Sequence, residues 1–197
     1  MAIAGGSLAR LAYIAEVTYG TTPATPAFQV INPTSHSIGL EKETFQSETI
    51  RSDRQLNDFR HGVRQASGDI GIEFRDASWD DLLQAVMMGT WSTDVLKAGT
   101  TRRSFTIERF FSDITRYRRA VGCEFNSFSL ECPATGIVTG TFSVLGMDDT
   151  GSGTAIAGSS YTADPNENVM DSPSGSITVG GSAVTCISAI KLTLENG

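Results

Sequence analysis

The chain has 197 residues with 15 basic and 22 acidic side chains, a net charge of −7, and a hydrophobic fraction of 40%. That fraction excludes a disordered chain and supports a packed core. Residues 1–119 carry 14 basic and 14 acidic side chains, so the net charge lies entirely in residues 120–197. An acidic chain is a poor candidate for tight nucleic-acid binding, which depends on neutralising phosphates.

Twelve of the basic residues are arginines. Arginine suits bidentate, partly desolvated contacts, so this composition favours interfaces, although a compositional bias of the genome would also explain it. The three cysteines, Cys123, Cys132 and Cys186, have no Cys-x-x-Cys spacing, and we expect reduced, buried thiols. The N-terminus lacks the pattern of a signal peptide, and no apolar run approaches 18 residues. We therefore expect no membrane anchor and assembly in a reducing cytoplasm.

The first part of the chain contains strand patterns separated by an extended arm. An apolar segment at 11–17 precedes an arm that contains Pro23, Pro26 and Pro33. The stretch SIGLEKETFQSETI predicts a half-exposed strand, and SGDIGIEF predicts a strand with one buried face. Between them, residues 47–65 predict a long charged loop.

The stretch SWDDLLQAVMMG predicts the only helix. Ser78 is the expected N-cap, Asp81 completes a capping-box-like start, and Gly89 is the expected end. Apolar side chains recur near helical spacing and predict a core face formed by Trp79, Leu82, Leu83 and Val86.

The later sequence predicts several strands rich in Phe, Val and Thr between residues 105 and 147. We divide the chain into a domain at 1–147, a flexible linker or surface excursion at 148–175, and a C-terminal β-hairpin at 176–197 around Gly180-Gly181. The hairpin either completes the domain or starts a second, similar unit. Together, these patterns predict a mainly all-β sandwich or barrel with one short flanking helix and long loops.

The sequence offers little for catalysis. His36 and His61 lie in different segments, and no phosphate-binding or nucleophile motif occurs. Cys123 could act only with a distant histidine, and a buried strand thiol explains it better. We therefore expect no enzymatic activity, no catalytic or metal-binding residues and no cofactor. Arg116, Arg118 and Arg119 predict a salt-bridged structural or interface patch rather than a nucleic-acid contact.

The loop at 47–65 carries charges of both signs. A DNA-binding loop would rarely contain its own counter-charges, whereas mixed charges suit selective docking between subunits. We therefore predict an inter-subunit or inter-ring contact there, formed by Glu48, Arg51, Asp53, Arg54, Asp58, Arg60, His61 and Arg64.

The order of three motifs resembles the tail tube proteins of long-tailed, non-contractile bacteriophages. In chain order, the motifs are EVTYGTTPATP, SETIRSDRQLNDFRHGVRQASGDIGIEF, and the helix with WDDLLQAVMMG. A later stretch, SFSLECPATGIVTGTFSVLG, resembles the inner strands of the family. The resemblance covers roughly residues 9–147. It implies a β-sandwich whose inner strands join a ring-wide barrel, in hexameric or pseudo-hexameric rings that stack into a conduit for the genome.

The resemblance also implies partners and a location. The subunits contact one another, a tape-measure protein and a tail terminator, in a virion tail assembled in the bacterial cytoplasm. Relatives are often longer, so the ring contains either six single-domain subunits or fewer subunits with two tube-like units each. Carboxylates facing the lumen would repel DNA. Alternation along the strands makes the candidates Asp69, Glu73, Glu124 and Glu131.

Two other functions remain open from the residues alone. A β-sandwich binding module of a virion tip or surface, either an adhesin or a carbohydrate-binding domain, would expose aromatic side chains together. Only 8% of the residues are aromatic, and most of them fit strand cores. A hydrolytic enzyme on a β scaffold is disfavoured by the scarcity of histidine.

Overall fold

The computed structural model describes residues 9–47, 58–165, 167–172, 175, 178–184 and 188–196. Within these ranges the protein is mainly β, and the all-β prediction is confirmed. The elements are β1 (Ala9–Ala15), β2 (Ala27–Ile31), β3 (Ser35–His36), β4 (Gly39–Gln46), β5 (Phe59–Glu73), α1 (Asp80–Val86), β6 (Phe105–Phe111), β7 (Arg116–Pro133), β8 (Thr139–Gly146), β9 (Asp148–Ser152), β10 (Ser160–Thr162), β11 (Thr178–Val179), β12 (Ser182–Ala183) and β13 (Ala189–Glu195).

Eleven strands form one mixed sheet that is not closed into a barrel. Its centre is β7, an 18-residue strand that lies between β6 and β8 in the region where the sequence predicted several strands. A register shift between Phe125 and Ser127 and a positive φ of 62° at Gly122 divide β7 into two halves. Such irregularities bend a strand and increase its twist. The halves therefore belong to two differently facing parts of the sheet.

The N-terminal half of β7 pairs with β6 and β9, and the sheet continues through β1, β2 and β10. The C-terminal half pairs with β8 on one side and β13 on the other, and β8 pairs with β5. We call β5, β8, the C-terminal half of β7 and β13 the four-strand sheet. Its upper end lies at Glu124 and Leu145, and its lower end lies at Glu73 and Glu131.

The core lies between the two parts of the sheet and is rich in aromatic rings. Phe105 of β6 contacts Phe125 at 5.4 Å between ring centroids, and Phe125 contacts Phe142 of β8 at 5.6 Å. Phe142 also stacks on Phe128 at 4.5 Å. Such pairs add about 0.5–1.5 kcal/mol each beyond the burial of their area. A continuous aromatic chain thus joins the two parts.

Helix α1 covers this core as predicted. Trp79, Leu82 and Val86 are buried, Leu83 is partly buried, and the Trp79 ring lies 6.3 Å from that of Phe142. The indole nitrogen of Trp79 donates a hydrogen bond to the Glu73 carbonyl at 3.2 Å. The predicted core face of the helix is therefore the one that packs.

Both predicted helix ends are wrong. The N-cap is Trp79, without a side-chain cap, because the Ser78 hydroxyl donates instead to the buried carboxylate of Asp164 at 3.0 Å. Asp81 accepts a hydrogen bond from the Tyr13 hydroxyl at 3.1 Å and closes no capping box. At the other end, Met88 has the positive φ expected of Gly89. Gly89 is required for space, since a Cβ there would lie 2.0 Å from the Lys97 carbonyl oxygen.

The last part of the chain contains more pairing than its composition predicts. Within 148–175, β9 pairs with β7 and β10 pairs in parallel with β2. Gly180 and Gly181, both with positive φ, connect β11 and β12 in a short hairpin as their sequence predicts. Strand β13 then joins β7 rather than that hairpin. The division of the chain at residues 147 and 175 stays a prediction.

Candidate functional site: a polar sheet face and a projecting ribbon

One face of the four-strand sheet packs on the core and the other is polar. Along β5, Ile70 and Ile72 are buried, while Asp69 and Glu73 point the opposite way, as alternation requires. Residues paired directly across antiparallel strands share a face. Asp69 pairs with Ser143 and Glu73 pairs with Thr139 on β8, so this polar face continues across the sheet.

The register places all four predicted lumen carboxylates on this polar face. Glu131 pairs with Thr139, and Glu124 pairs with Leu145, on the same strand that opposes Asp69 and Glu73. Hydroxyl side chains and β13 complete the face with Ser127, Ser129, Thr141, Lys191, Thr193 and Glu195.

Counter-charges on the polar face are few among the described residues. Arg102 holds Glu124 with contacts of 2.9–3.2 Å. Lys191 lies 3.1 Å from Glu131, both exposed. Such exposed pairs contribute about 0–1 kcal/mol each, so they shape the surface more than they stabilise it. Five carboxylates, of which three are paired with Arg75, Arg102 and Lys191, leave the described face negatively charged.

The predicted contact loop is partly a strand. Strand β5 begins at Phe59, so His61 and Arg64 lie on a strand and not in a loop, while Glu48, Arg51, Asp53 and Arg54 lie outside the described residues. Pairing of β5 with β8 starts only at Ala66. Residues 59–65 of β5 pair with β4 alone among the described strands. We call this two-stranded extension the ribbon.

Two arginines of the ribbon, Arg60 and Arg64, form ion pairs within the chain. Arg60 bonds to Asp58 at 2.7 Å, and the His61 ring meets that of Phe59 edge-on at 5.3 Å. Arg64 anchors the base of the ribbon to Asp148 at 2.8 Å. Phe59 stays 48% exposed and Phe45 53% exposed, so aromatic surface remains free on both strands.

A buried ionic cluster that was not predicted from the sequence lies beside the ribbon. The Asp149 side chain is fully buried and pairs with Arg109 at 2.5 Å and Arg118 at 2.7 Å. Arg109, itself buried, also donates to the Ile38 carbonyl. The only available signal was an Asp-Asp pair at the start of an apparently irregular segment, and its partners are 31 and 40 residues away.

A second buried carboxylate holds β10. Glu108 accepts a hydrogen bond from Arg119 at 2.8 Å and from the Tyr161 hydroxyl at 2.7 Å, while the Arg10 guanidinium stacks 3.7 Å from the Tyr161 ring. Of the three arginines predicted to be salt-bridged, two form structural pairs, Arg118 with Asp149 and Arg119 with Glu108. These contacts attach β9 and β10 to the centre of the sheet.

The motif EVTYG is shaped by Glu16. Its carboxylate accepts hydrogen bonds from the Gly20 and Gly122 amides and from the Ser104 and Thr106 hydroxyls, all at 2.8–2.9 Å. With its acceptors satisfied, the carboxylate fixes a turn that leaves Tyr19 54% exposed. This role of Glu16 was not predicted, although the motif itself stands out in the sequence.

The described ranges indicate neither a metal site nor a reactive thiol, and they contain no helix that could span a membrane. They contain no group of three or more His, Cys, Asp and Glu side chains placed to hold a metal ion. Cys123 is buried on β7, and burial raises its pKa to about 12, which disfavours the thiolate. No helix among these residues is long and apolar enough to cross a bilayer.

We expect stability to fall as the pH drops below about 6.5, because His36 on β3 is half-buried beside Arg109. Burial and then the Arg109 charge lower its pKa from 6.5, so the unfolded chain binds the proton more readily than the folded one. Urea unfolding between pH 7.5 and 5.5 should show this slope, and His36→Gln should flatten it. An equal slope in the variant would contradict this assignment.

The chain belongs to the phage tail tube protein family, whose model matches residues 6–197. No curated protein matches it. The fold is similar to a chain of the anti-feeding prophage baseplate, with a TM-score of 0.50 and 9% identity, covering 77% of this chain and 97% of that one. The tube-terminating cap of the same particle gives a TM-score of 0.46 and 10% identity, covering 79% and 93%. The protein is a structural component of a phage-like tail.

Proposed function

We propose that the protein self-assembles into hexameric or pseudo-hexameric rings that stack into a tail tube, with the polar face lining the channel. The observation that carries this proposal is the polar face itself, a broad exposed sheet surface of hydroxyls and carboxylates. The family supports a tube, and the baseplate structure that contains the similar chain was determined with six-fold symmetry.

The edges of the four-strand sheet support closure into a ring. Among the described strands, β13 pairs only with β7, and β4 pairs only with β5. Open edges present unpaired amide and carbonyl groups, which can pair with other chains and cause aggregation. Pairing these edges between subunits of a ring would satisfy the groups and prevent such aggregation. Ile190 and Leu192 on β13 are 37% and 46% exposed, so a neighbouring subunit at this edge would also cover apolar surface. In the proposed ring, β13 of one subunit meets the β3–β4 edge of the next.

A negatively charged lumen suits a conduit for DNA. Phosphates are repelled by carboxylates, and few cations on the face are available to bind them. DNA therefore moves through the tube without specific binding during genome ejection. The tape-measure protein would occupy this lumen before ejection, and a terminator would close the tube in the virion of a long-tailed phage assembled in the host cytoplasm.

Negative-stain electron microscopy of the purified protein tests this proposal. We expect rings or stacked rings with a central hole at high protein concentration, and a ring mass of six subunits by mass photometry. Particles that stay monomeric across concentration, salt and added tail partners would contradict it.

We expect Arg51→Glu with Arg54→Glu to give a folded protein that cannot polymerise. The ribbon leads into this segment, its aromatic side chains are exposed, and an isolated two-stranded ribbon is only marginally stable in water. Reversing two charges per subunit places like charges at every copy of the contact. Sedimentation measures the assembly, and the conservative Arg51→Lys with Arg54→Lys variant is the control. Normal tubes from the Glu variant would reject the role of this segment.

A further inference from the structure

Strands β4 and β13 run in the same direction at opposite edges of the extended sheet. Strand β4 is antiparallel to β5, β5 to β8, β8 to β7, and β7 to β13. These successive antiparallel steps restore the starting direction. Rotation about the axis of a cyclic ring preserves the direction of each strand along that axis. A ring that joins β13 of one subunit to β4 of the next therefore joins two parallel strands.

The backbone of β13 alternates between its partner β7 and the open edge. After the strand, the Asn196 amide donates to the Asn126 carbonyl at 2.9 Å, and before it the Ala134 amide donates to the Ser188 carbonyl at 3.0 Å. Both bonds keep the register of the β7–β13 pair. Even-numbered residues of β13 therefore direct their backbone groups at β7, and odd-numbered ones direct them outward. The outward residues with side chains on the polar face are Lys191, Thr193 and Glu195.

The backbone of β4 has the opposite alternation. The Ser37 amide donates to the Asp69 carbonyl at 2.9 Å, and the register of this pair continues along β4 as far as Lys42. Odd-numbered residues therefore direct their backbone groups at β5, and even-numbered ones direct them outward. Gly39 and Glu41 are odd-numbered and pair with residues on the polar face of β5, so they lie on the polar face as well.

Arg109 restricts the open part of this edge to β4. The outward carbonyl of Ile38, between β3 and β4, accepts a hydrogen bond from the buried Arg109 guanidinium, so this position is occupied within the chain. No described strand pairs with the outward side of β4. A third strand on that side would also support the ribbon, since a two-stranded ribbon alone is only marginally stable.

Only a parallel contact keeps the polar face continuous from one subunit to the next. Directly opposite residues share a face. In an antiparallel pair, both direct their backbone groups at each other or both direct them away, whereas in a parallel pair one directs them at the partner and the other away. On the polar face, the backbone groups of Lys191 are outward and those of Glu41 are inward. An antiparallel contact would therefore set Lys191 opposite Leu40 or Lys42, on the other face of β4.

We propose that β13 pairs in parallel with β4 of a neighbouring copy, so that each subunit contributes one parallel seam to an otherwise antiparallel channel wall. This inference rests on the proposed function and adds the direction of the lateral contact to it. Parallel pairing is slightly less stable per residue than antiparallel pairing. The seam, rather than a contact within the four-strand sheet, is therefore where a ring opens.

Cysteine pairs on the polar face test the direction of the seam. Lys191→Cys or Thr193→Cys is combined in turn with a cysteine at each odd-numbered position of β4 from 39 to 45, in a chain with Cys132→Ser and Cys186→Ser. Most of these positions are exposed, so folding should be retained. Within one copy, three strands separate β13 from β4 at spacings of about 4.8 Å each, which is beyond the reach of a disulfide. Covalent multimers formed by mild oxidation of rings, measured by SDS gel electrophoresis, therefore report contacts between copies.

The yields distinguish the two directions without knowledge of the register. In a parallel seam, the best β4 partner of Thr193→Cys lies two residues C-terminal to the best partner of Lys191→Cys. The yield of a best pair should exceed that of the control pair by about tenfold or more, because disulfide geometry is specific. Asp94→Cys with Lys191→Cys is this control, since Asp94 lies on an exposed loop outside both strands. Leu40→Cys and Lys42→Cys should also give low yields with Lys191→Cys, because their side chains lie on the other face.

Three outcomes would count against these proposals. A best partner that moves towards the N-terminus of β4, or high yields at Leu40 and Lys42 instead, would show an antiparallel seam and overturn the inference. Normal rings without a cross-link above the control would also overturn it, while the proposed rings and tubes would stand. Absence of rings in the unmodified protein would overturn the proposed function first.

Discussion

Asp149→Asn is expected to lower the free energy of unfolding by about 3–5 kcal/mol, because it removes the counter-charge of a buried arginine while keeping the shape of the side chain. Arg109 is 6% exposed at its side chain and would stay charged. For a domain of this size, the loss corresponds to a fall of about 10 °C in melting temperature. Differential scanning calorimetry and urea unfolding measure it.

Two further variants distinguish the loss of the buried ion pair from a non-specific loss of stability. Arg109→Met with Asp149→Asn should recover part of the stability, since the buried arginine is then gone as well. Arg60→Gln is the control for an exposed pair and should change stability by about 1 kcal/mol or less. A loss below about 1 kcal/mol for Asp149→Asn would show that the cluster does not hold β9.

Charge reversal of the polar face is expected to make the tube retain DNA. Asp69→Lys with Glu131→Lys changes the charge of each subunit by four, and these side chains are exposed on the proposed lumen face. Retention of a short duplex by assembled tubes should rise by about tenfold or more at low salt and fall steeply as salt increases, as phosphate contacts do. Co-sedimentation of a labelled duplex measures this retention.

The same substitutions should slow genome ejection in virions while leaving tubes intact, and Glu124→Lys should act in the same direction. The Glu124 variant also places a lysine beside Arg102, so its assembly has to be checked first. Asp94→Lys, on an exposed loop, is the control for the charge change of a single substitution such as Glu124→Lys. Normal ejection and unchanged DNA retention by the Asp69 and Glu131 variant would remove the electrostatic role from this face.

The sequence predicted what depends on local periodicity. Alternation in SGDIGIEF identifies both faces of β5, and the apolar spacing around Trp79 identifies the packing face of α1. The four lumen candidates share one face because period-two alternation and antiparallel register agree. Sequence periodicity did not reveal β9 and β10 in the Gly/Ser-rich segment, because these strands are held by Asp149 and by Glu108, whose partners are distant in the chain.

The predicted helix caps were wrong for a similar reason. Ser78 has a side chain suited to an N-cap, yet it lies one residue before the observed N-cap, and its hydroxyl is bonded to Asp164, 86 residues away. Gly89 is indispensable for close packing rather than for a positive φ. Residues 59–65 were predicted as part of a loop because their charges and Gly62 obscure the alternation, while their pairing with β4 depends on both strands.

A cryo-EM reconstruction of tubes formed by the purified protein tests the central claim most directly. The account predicts that Asp69, Glu73, Glu124 and Glu131 of every subunit line the central channel. It also predicts that β13 of one subunit lies beside the β3–β4 edge of its neighbour. A tube in which the polar face lies on the outer surface, with another part of the sheet around the channel, would contradict it.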